Sequence, residues 1–137
     1  MSSIRSAAAP RGARAGASAP IGVFDSGYGG LTVLAEIVSR MPRESTVFVG
    51  DSAHFPYGPK SQREVRDYAL GICSHLADRG CKLIVIACNT ATAAGLKDAQ
   101  MAFDVPVVGV VEPGARAAVH MTRNRRVGVI ATQGTVD

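Results

Sequence analysis

The chain has 137 residues, room for one compact domain of ordinary size and too few for two that each bury a full core. Apolar residues make up 47% and charged residues 19%, which excludes a disordered chain, a collagen-like chain and a disulfide-dense mini-scaffold. The formal charge of +4 suggests an acidic partner such as nucleic acid, but its placement argues otherwise. Arg5, Arg11 and Arg14 lie in an acid-free opening stretch over 1–19, and the remainder balances 12 basic residues against 11 acidic ones.

No apolar run approaches the roughly 18 residues of a membrane span, and nothing near the N-terminus resembles the core of a secretory signal. The chain reads as cytosolic, with no membrane partner. Cys73, Cys81 and Cys88 are odd in number and lack C-x-x-C spacing, so neither a disulfide framework nor a zinc site is indicated. The Ala/Ser/Arg-rich head over 1–19 reads as a disordered extension or a misplaced start in preference to an organellar targeting segment, since it lacks an amphipathic stripe.

From Pro20 onward, short Val/Ile-rich runs alternate with stretches of helical period, the pattern of βα units around a parallel sheet. A first strand over 21–24 leads into a helical stripe of Leu31, Leu34, Ile37, Val38 and Met41. A second strand over 46–49 is followed by a polar, Pro/Gly-punctuated loop over 51–60. Ser61 with Glu64 three residues on is a capping-box pattern, and Val65, Tyr68, Ile72 and Leu76 supply the apolar face of the next helix, which Gly80 stops. The uninterrupted apolar run over 83–87 is expected of a strand buried on both faces, with its helix over 91–101. Strands over 105–110 and 127–131 complete the set, with a helical segment over 115–121 between them, and another helix is due where the chain ends at Asp137.

In open parallel α/β sheets, ligands bind outside the carboxyl ends of the strands, where helix N-termini offer free N–H groups and a positive potential. That edge selects Asp25-Ser26-Gly27, Pro56-Tyr57-Gly58, Cys88-Asn89-Thr90, Glu112-Pro113-Gly114 and Thr132. Gly27, Gly29 and Gly30 resemble a nucleotide loop, but G-x-G-x-x-G would need glycine where Thr32 stands. A tight strand-to-helix turn and a small-ligand contact remain open for them. Free cysteine is usually a small buried hydrophobe, yet Cys88 follows the apolar strand directly and precedes two polar residues, Asn89 and Thr90, that can cap the next helix, where the N-terminal field stabilises negative charge on sulfur. Cys73 and Cys81 lack that setting and read as packing residues. His54 lies in the polar loop, where a catalytic role is open to it, and His75 and His120 sit in helical segments; with no second group tied to any of them in the sequence, all three read first as surface or structural residues, and Arg123, Arg125 and Arg126 as a solvated turn.

Four blocks carry a resemblance. The run Ile21-Gly-Val-Phe-Asp-Ser-Gly-Tyr-Gly-Gly-Leu-Thr-Val-Leu, then Gly50-Asp-Ser-Ala into Phe55-Pro-Tyr-Gly, Ala87-Cys-Asn-Thr-Ala, and Val107-Val-Gly-Val-Val-Glu-Pro-Gly-Ala stand in one order. Together they resemble the glutamate racemases of the aspartate/glutamate racemase family, from Pro20 to about Thr135. The resemblance implies a cofactor-independent, metal-free isomerase that supplies D-glutamate for peptidoglycan, built from two similar α/β domains with the substrate between them. It implies that Asp25, Ser26, Tyr57, Gly58, Asn89 and Thr90 contact glutamate and that Cys88 is one of two catalytic cysteines. Inverting an α-carbon without a cofactor requires a base on one face and an acid on the other, and a thiolate with a thiol suits both halves. Asp25 is left between positioning the ammonium and assisting proton transfer.

The family's second cysteine lies in a Cys-Thr-His block of a further half, and here no cysteine follows Cys88. The expected architecture is therefore an open, mostly parallel α/β sheet with helices on both faces, incomplete at the C-terminus. Its expected divisions are an extension over 1–19, a first racemase domain over 20–112 lacking its closing elements, and the start of a second domain over 113–137. The 137-residue chain alone is expected to be inactive. Alternatives are racemisation of another acidic amino acid such as aspartate, or a non-catalytic binding module that inhibits DNA gyrase, as some glutamate racemases do. A homodimer of the full-length protein is compatible with the family.

Overall fold

The computed structural model describes residues 16–136; most of the extension expected over 1–19 lies outside the described residues. The elements run β1 (Ile21–Asp25), α1 (Leu31–Arg40), β2 (Thr46–Gly50), α2 (Gln62–Asp78), β3 (Leu83–Ile86), α3 (Asn89–Ala102), β4 (Val107–Gly109), α4 (Val111–Met121) and α5 (Gln133–Val136). The strands form one parallel sheet in the order β2-β1-β3-β4. This is the open α/β sheet expected from the alternation of apolar runs and helical stripes.

The period of two along each strand divides the core between the faces. Ile21, Val23, Val85 and Ala87 point to one face, where Val33, Leu34 and Ile37 of α1 cover them. Phe24, Ile84 and Ile86 point to the other, against Val65, Ala69, Cys73 and Leu76 of α2 and Ala91 and Ala99 of α3. Fully burying side chains such as Phe24, Ile84, Ile86 and Leu76 contributes about 1.5–3 kcal/mol each relative to exposure. The second face carries two helices and the first only one, so Leu31, Val38 and Met41 of the expected α1 stripe stay exposed.

Helix α2 starts as its sequence dictates. The Ser61 hydroxyl accepts from the Glu64 amide at 3.3 Å, and the Glu64 carboxylate accepts from the Ser61 amide at 3.0 Å, a reciprocal cap that satisfies two otherwise orphaned donors. The Ser61 hydroxyl, which donates to the Glu64 Oε2 at 2.6 Å, and then the Ser61 amide hold the Glu64 carboxyl below its ordinary range. The helix stops at Gly80, whose φ of +76° is accessible to glycine at little cost. The buried side of α2 is Val65, Ala69, Cys73 and Leu76, with Tyr68 and Ile72 only half-buried, a rotation of the face expected from the larger side chains.

Two expectations fail at the C-terminal end. The run 127–131 forms no strand: it makes no ladder with β1–β4, and Ile130 is fully exposed. A strand needs a neighbour for its N–H and C=O groups, and the run does not take the free edge beside β4. Strand β4 is also shorter than expected and α4 begins earlier, so Glu112 and Pro113 stand in the first turn of α4, where proline's missing N–H costs nothing.

Candidate active site

The chain leaves β1 toward β2 on one side and leaves β3 toward β4 on the other, so the carboxyl ends of β1 and β3 flank a topological switch point. Asp25-Ser26 and Cys88 arrive there together. The Asp25 carboxylate accepts from the Gly27 amide at 3.0 Å and folds the chain tightly into α1. A Cβ on Gly30 would stand 2.5 Å from the Asp25 Cβ and 3.0 Å from the Ala87 Cβ, so the turn closes only on glycine. This is the structural role weighed for the glycine run.

Cys88 is the N-cap of α3, and its sulfur accepts from the Ala91 amide at 3.4 Å. Its thiol also donates toward the Ser26 Oγ at 3.5 Å, linking the ends of β1 and β3 across the switch point. The helix N-terminus gives that sulfur a positive field. Beside it, Asn89 is exposed, and Thr90 is buried with its Oγ1 2.9 Å from the Thr132 Oγ1. Thr132 in turn meets the Thr135 Oγ1 at 2.9 Å. Below the rim, the Thr92 hydroxyl donates to the Ile86 carbonyl at 3.1 Å and accepts from the Val110 amide at 3.4 Å, fixing α3 to the ends of β3 and β4.

The loop between β2 and α2 supplies the remaining wall. The Asp51 amide donates to the Asp25 carbonyl at 2.9 Å, and Gly58 borders Thr132, whose Cγ2 would lie 3.2 Å from a Cβ at that position. Tyr57 has its ring in the core, only 2% exposed, and its hydroxyl donates to the Asp51 Oδ2 at 2.6 Å. Burial foremost, then the Asp51 hydrogen bond and the negative charge of Asp51 and Cys88 nearby, push its phenol far above its ordinary value, so it serves as a donor at any working pH. Asp51 had drawn no expectation beyond opening the loop, although His54 and Tyr57 three and six residues on converge on its carboxylate.

Asp25, Ser26, Gly58, Cys88, Asn89 and Thr90 thus gather at one sheet edge with backbone donors, two hydroxyls, an amide and a thiol. Cys88 is itself buried at that edge, while Cys73 within α2 and Cys81 ahead of β3 lie in the core away from it, and burial pushes these two thiols up, Cys73 to about 12. Among the described residues no cluster of three or more His, Cys, Asp or Glu side chains could hold a metal ion, and no helix is long and apolar enough to cross a membrane.

An open α/β sheet whose strand ends bring a thiol, hydroxyls and an amide to a topological switch point is the arrangement of an α/β ligand-binding domain. The sequence matches the Asp/Glu/Hydantoin racemase family over residues 21–137, and the chain belongs to that family. The glutamate racemase of Corynebacterium diphtheriae is 56% identical over 119 residues, covering 87% of this chain and 45% of that protein. A crystal structure of a glutamate racemase isoform from Bacillus anthracis matches with a TM-score of 0.82 at 47% identity, over 86% of this chain and 44% of that one. The glutamate racemase of Francisella tularensis, solved in complex with D-glutamate, matches with a TM-score of 0.75 at 40% identity, over 87% and 44%. The chain spans less than half the length of these relatives.

Proposed function

We propose that this chain is the N-terminal part of a glutamate racemase that interconverts L- and D-glutamate without a cofactor and supplies D-glutamate for peptidoglycan. It comprises a first domain over 20–112 and the beginning of a second over 113–137. The observation that carries the proposal is the Cys88 sulfur at the N-terminus of α3, facing Ser26 at the switch point. Proton abstraction beside a carboxylate is difficult because the α-proton is only weakly acidic, so the base must be placed against the carbon and the developing charge met by fixed donors. Cys88 takes the proton from D-glutamate and delivers one when L-glutamate is the substrate. Ser26, Asn89, Thr90 and backbone N–H groups hold the carboxylates, and Asp25 stands nearest the ammonium or assists the proton transfer.

Because the Tyr57 hydroxyl is occupied by Asp51, Tyr57 and Gly58 contact the substrate through their backbone. The acid on the opposite face comes from a second cysteine outside these 137 residues. Pure 137-residue chain therefore interconverts no glutamate, and measurable racemisation by it sinks the two-base reading. A form spanning the whole length of its relatives turns over glutamate in preference to aspartate; equal or faster turnover of aspartate overturns the substrate assignment.

A further inference from the structure

The loop carrying Tyr57 and Gly58 is held by a cluster that the catalytic proposal does not use. The His54 Nδ1 lies 2.8 Å from Asp51 Oδ1 and 2.9 Å from Oδ2, and Oδ2 also accepts the Tyr57 hydroxyl. The His54 ring then stacks on Tyr68, centroids 4.1 Å apart and planes within 19°. Tyr68 also meets the Tyr57 ring at 5.8 Å and lies 5.7 Å beneath the Lys60 ammonium. One residue of the rigid helix α2 therefore touches the loop before Tyr57, at Tyr57 and after Gly58.

We propose that His54 and Tyr68 are positioning residues: stacked together, they hold Asp51 on the Tyr57 hydroxyl and so fix the backbone of Tyr57-Gly58 against Thr132, the hydrogen-bond partner of Thr90. The inference rests on the racemase reading for its kinetic consequence, but its geometry stands apart from it. An exposed ion pair contributes little to stability, whereas a shift of about 1 Å in a substrate-holding wall costs binding directly. His54 is half-exposed and reaches both Asp51 oxygens through one nitrogen, which requires the proton on Nδ1, the less common tautomer of a neutral imidazole.

Two arms test this. In the 137-residue chain, long-range 1H–15N correlation should find neutral His54 protonated on Nδ1. Amide exchange over 57–60, including the Lys60 amide that donates to the Tyr57 carbonyl, should speed up about fivefold in His54→Ala and in Tyr68→Leu. His54→Asn, whose amide nitrogen replaces Nδ1 but which cannot stack on Tyr68, should restore only part of the protection, and Tyr68→Phe should keep it. An Nε2 proton, or unchanged exchange in a His54→Ala chain that keeps its dispersed amide spectrum, overturns the proposal.

In a form spanning the whole length of its relatives, His54→Ala should raise KM for glutamate about fivefold with kcat within about twofold, and His54→Asn should recover it in part. Unchanged KM, or a loss confined to kcat, overturns the proposal while leaving the racemase reading intact. Absence of racemisation in the unmutated long form, with the tautomer and exchange results as expected, removes the racemase reading and leaves the positioning geometry standing.

Discussion

Cys73 gives a prediction whose size follows from its surroundings. Its side chain has no exposure on the buried side of α2, and burial raises its thiol from 9.0 to about 12. A thiol that keeps its proton in the folded chain and loses it in the unfolded chain gives its full stabilisation below about pH 9, and that contribution drains away as pH rises toward about 12. By about pH 10 the unfolded state has gained about 1.4 kcal/mol from ionisation that the folded state has not. Cys73→Ala removes this term but also removes a packed sulfur, a loss of about 1–2 kcal/mol. The variant should therefore be less stable than the parent at neutral pH, match it near about pH 10, and exceed it above that. Urea unfolding of both reduced chains across this range measures the difference, and the raised Cys81 and Tyr57 groups, common to both, cancel in it. Stability curves that stay parallel from neutral to alkaline pH would refute the reasoning, because they would mean that the Cys73 proton is no harder to remove in the folded chain.

The reciprocal cap at Ser61 should be worth about 1 kcal/mol, so Ser61→Ala should lower the unfolding free energy by that amount in the same assay; a variant as stable as the parent would mean that the bonds form without consequence. Limiting iodoacetamide under native conditions should modify Cys88, buried like the other two but at the carboxyl edge of the sheet and capping α3, about tenfold faster than Cys73 or Cys81, whose thiols burial pushes up, read by peptide mass mapping. Equal labelling of all three thiols would contradict the distinct setting of Cys88 at the start of α3.

Much of the fold was legible because its signals are local. The cap at Ser61, the stop at Gly80 and the apolar run of β3 each lie within a few residues of what they determine. Cys88 was legible for the same reason, since a thiol between a strand and a helix start needs no distant partner to be noticed. What escaped depends on groups far apart in sequence or on faces that periodicity cannot rank. Thr90 meets Thr132 across 42 positions, and no spacing announces it. The sequence stripe on α2 favoured Tyr68 and Ile72 by size, while the packing selected the smaller Ala69 and Cys73, because α3 approaches α2 closely along that side. Tyr68 was thereby freed to stack on His54, and Asp51 acquired its role only once a loop without periodicity had folded. The run 127–131 has a strand's composition, but composition cannot supply the neighbouring strand it needs.

The central claim is that Cys88 exchanges the α-proton of glutamate and does so only with a second group from outside this chain. The direct measurement is loss of the α-proton signal from L- and D-glutamate in deuterium oxide, followed together with enantiomer composition. It is run with the 137-residue chain, with a form spanning the whole length of its relatives, and with that form carrying Cys88→Ala. Exchange and racemisation by the long form alone, abolished by Cys88→Ala, is the predicted result. Racemisation by the 137-residue chain, or undiminished exchange after Cys88→Ala, would contradict it.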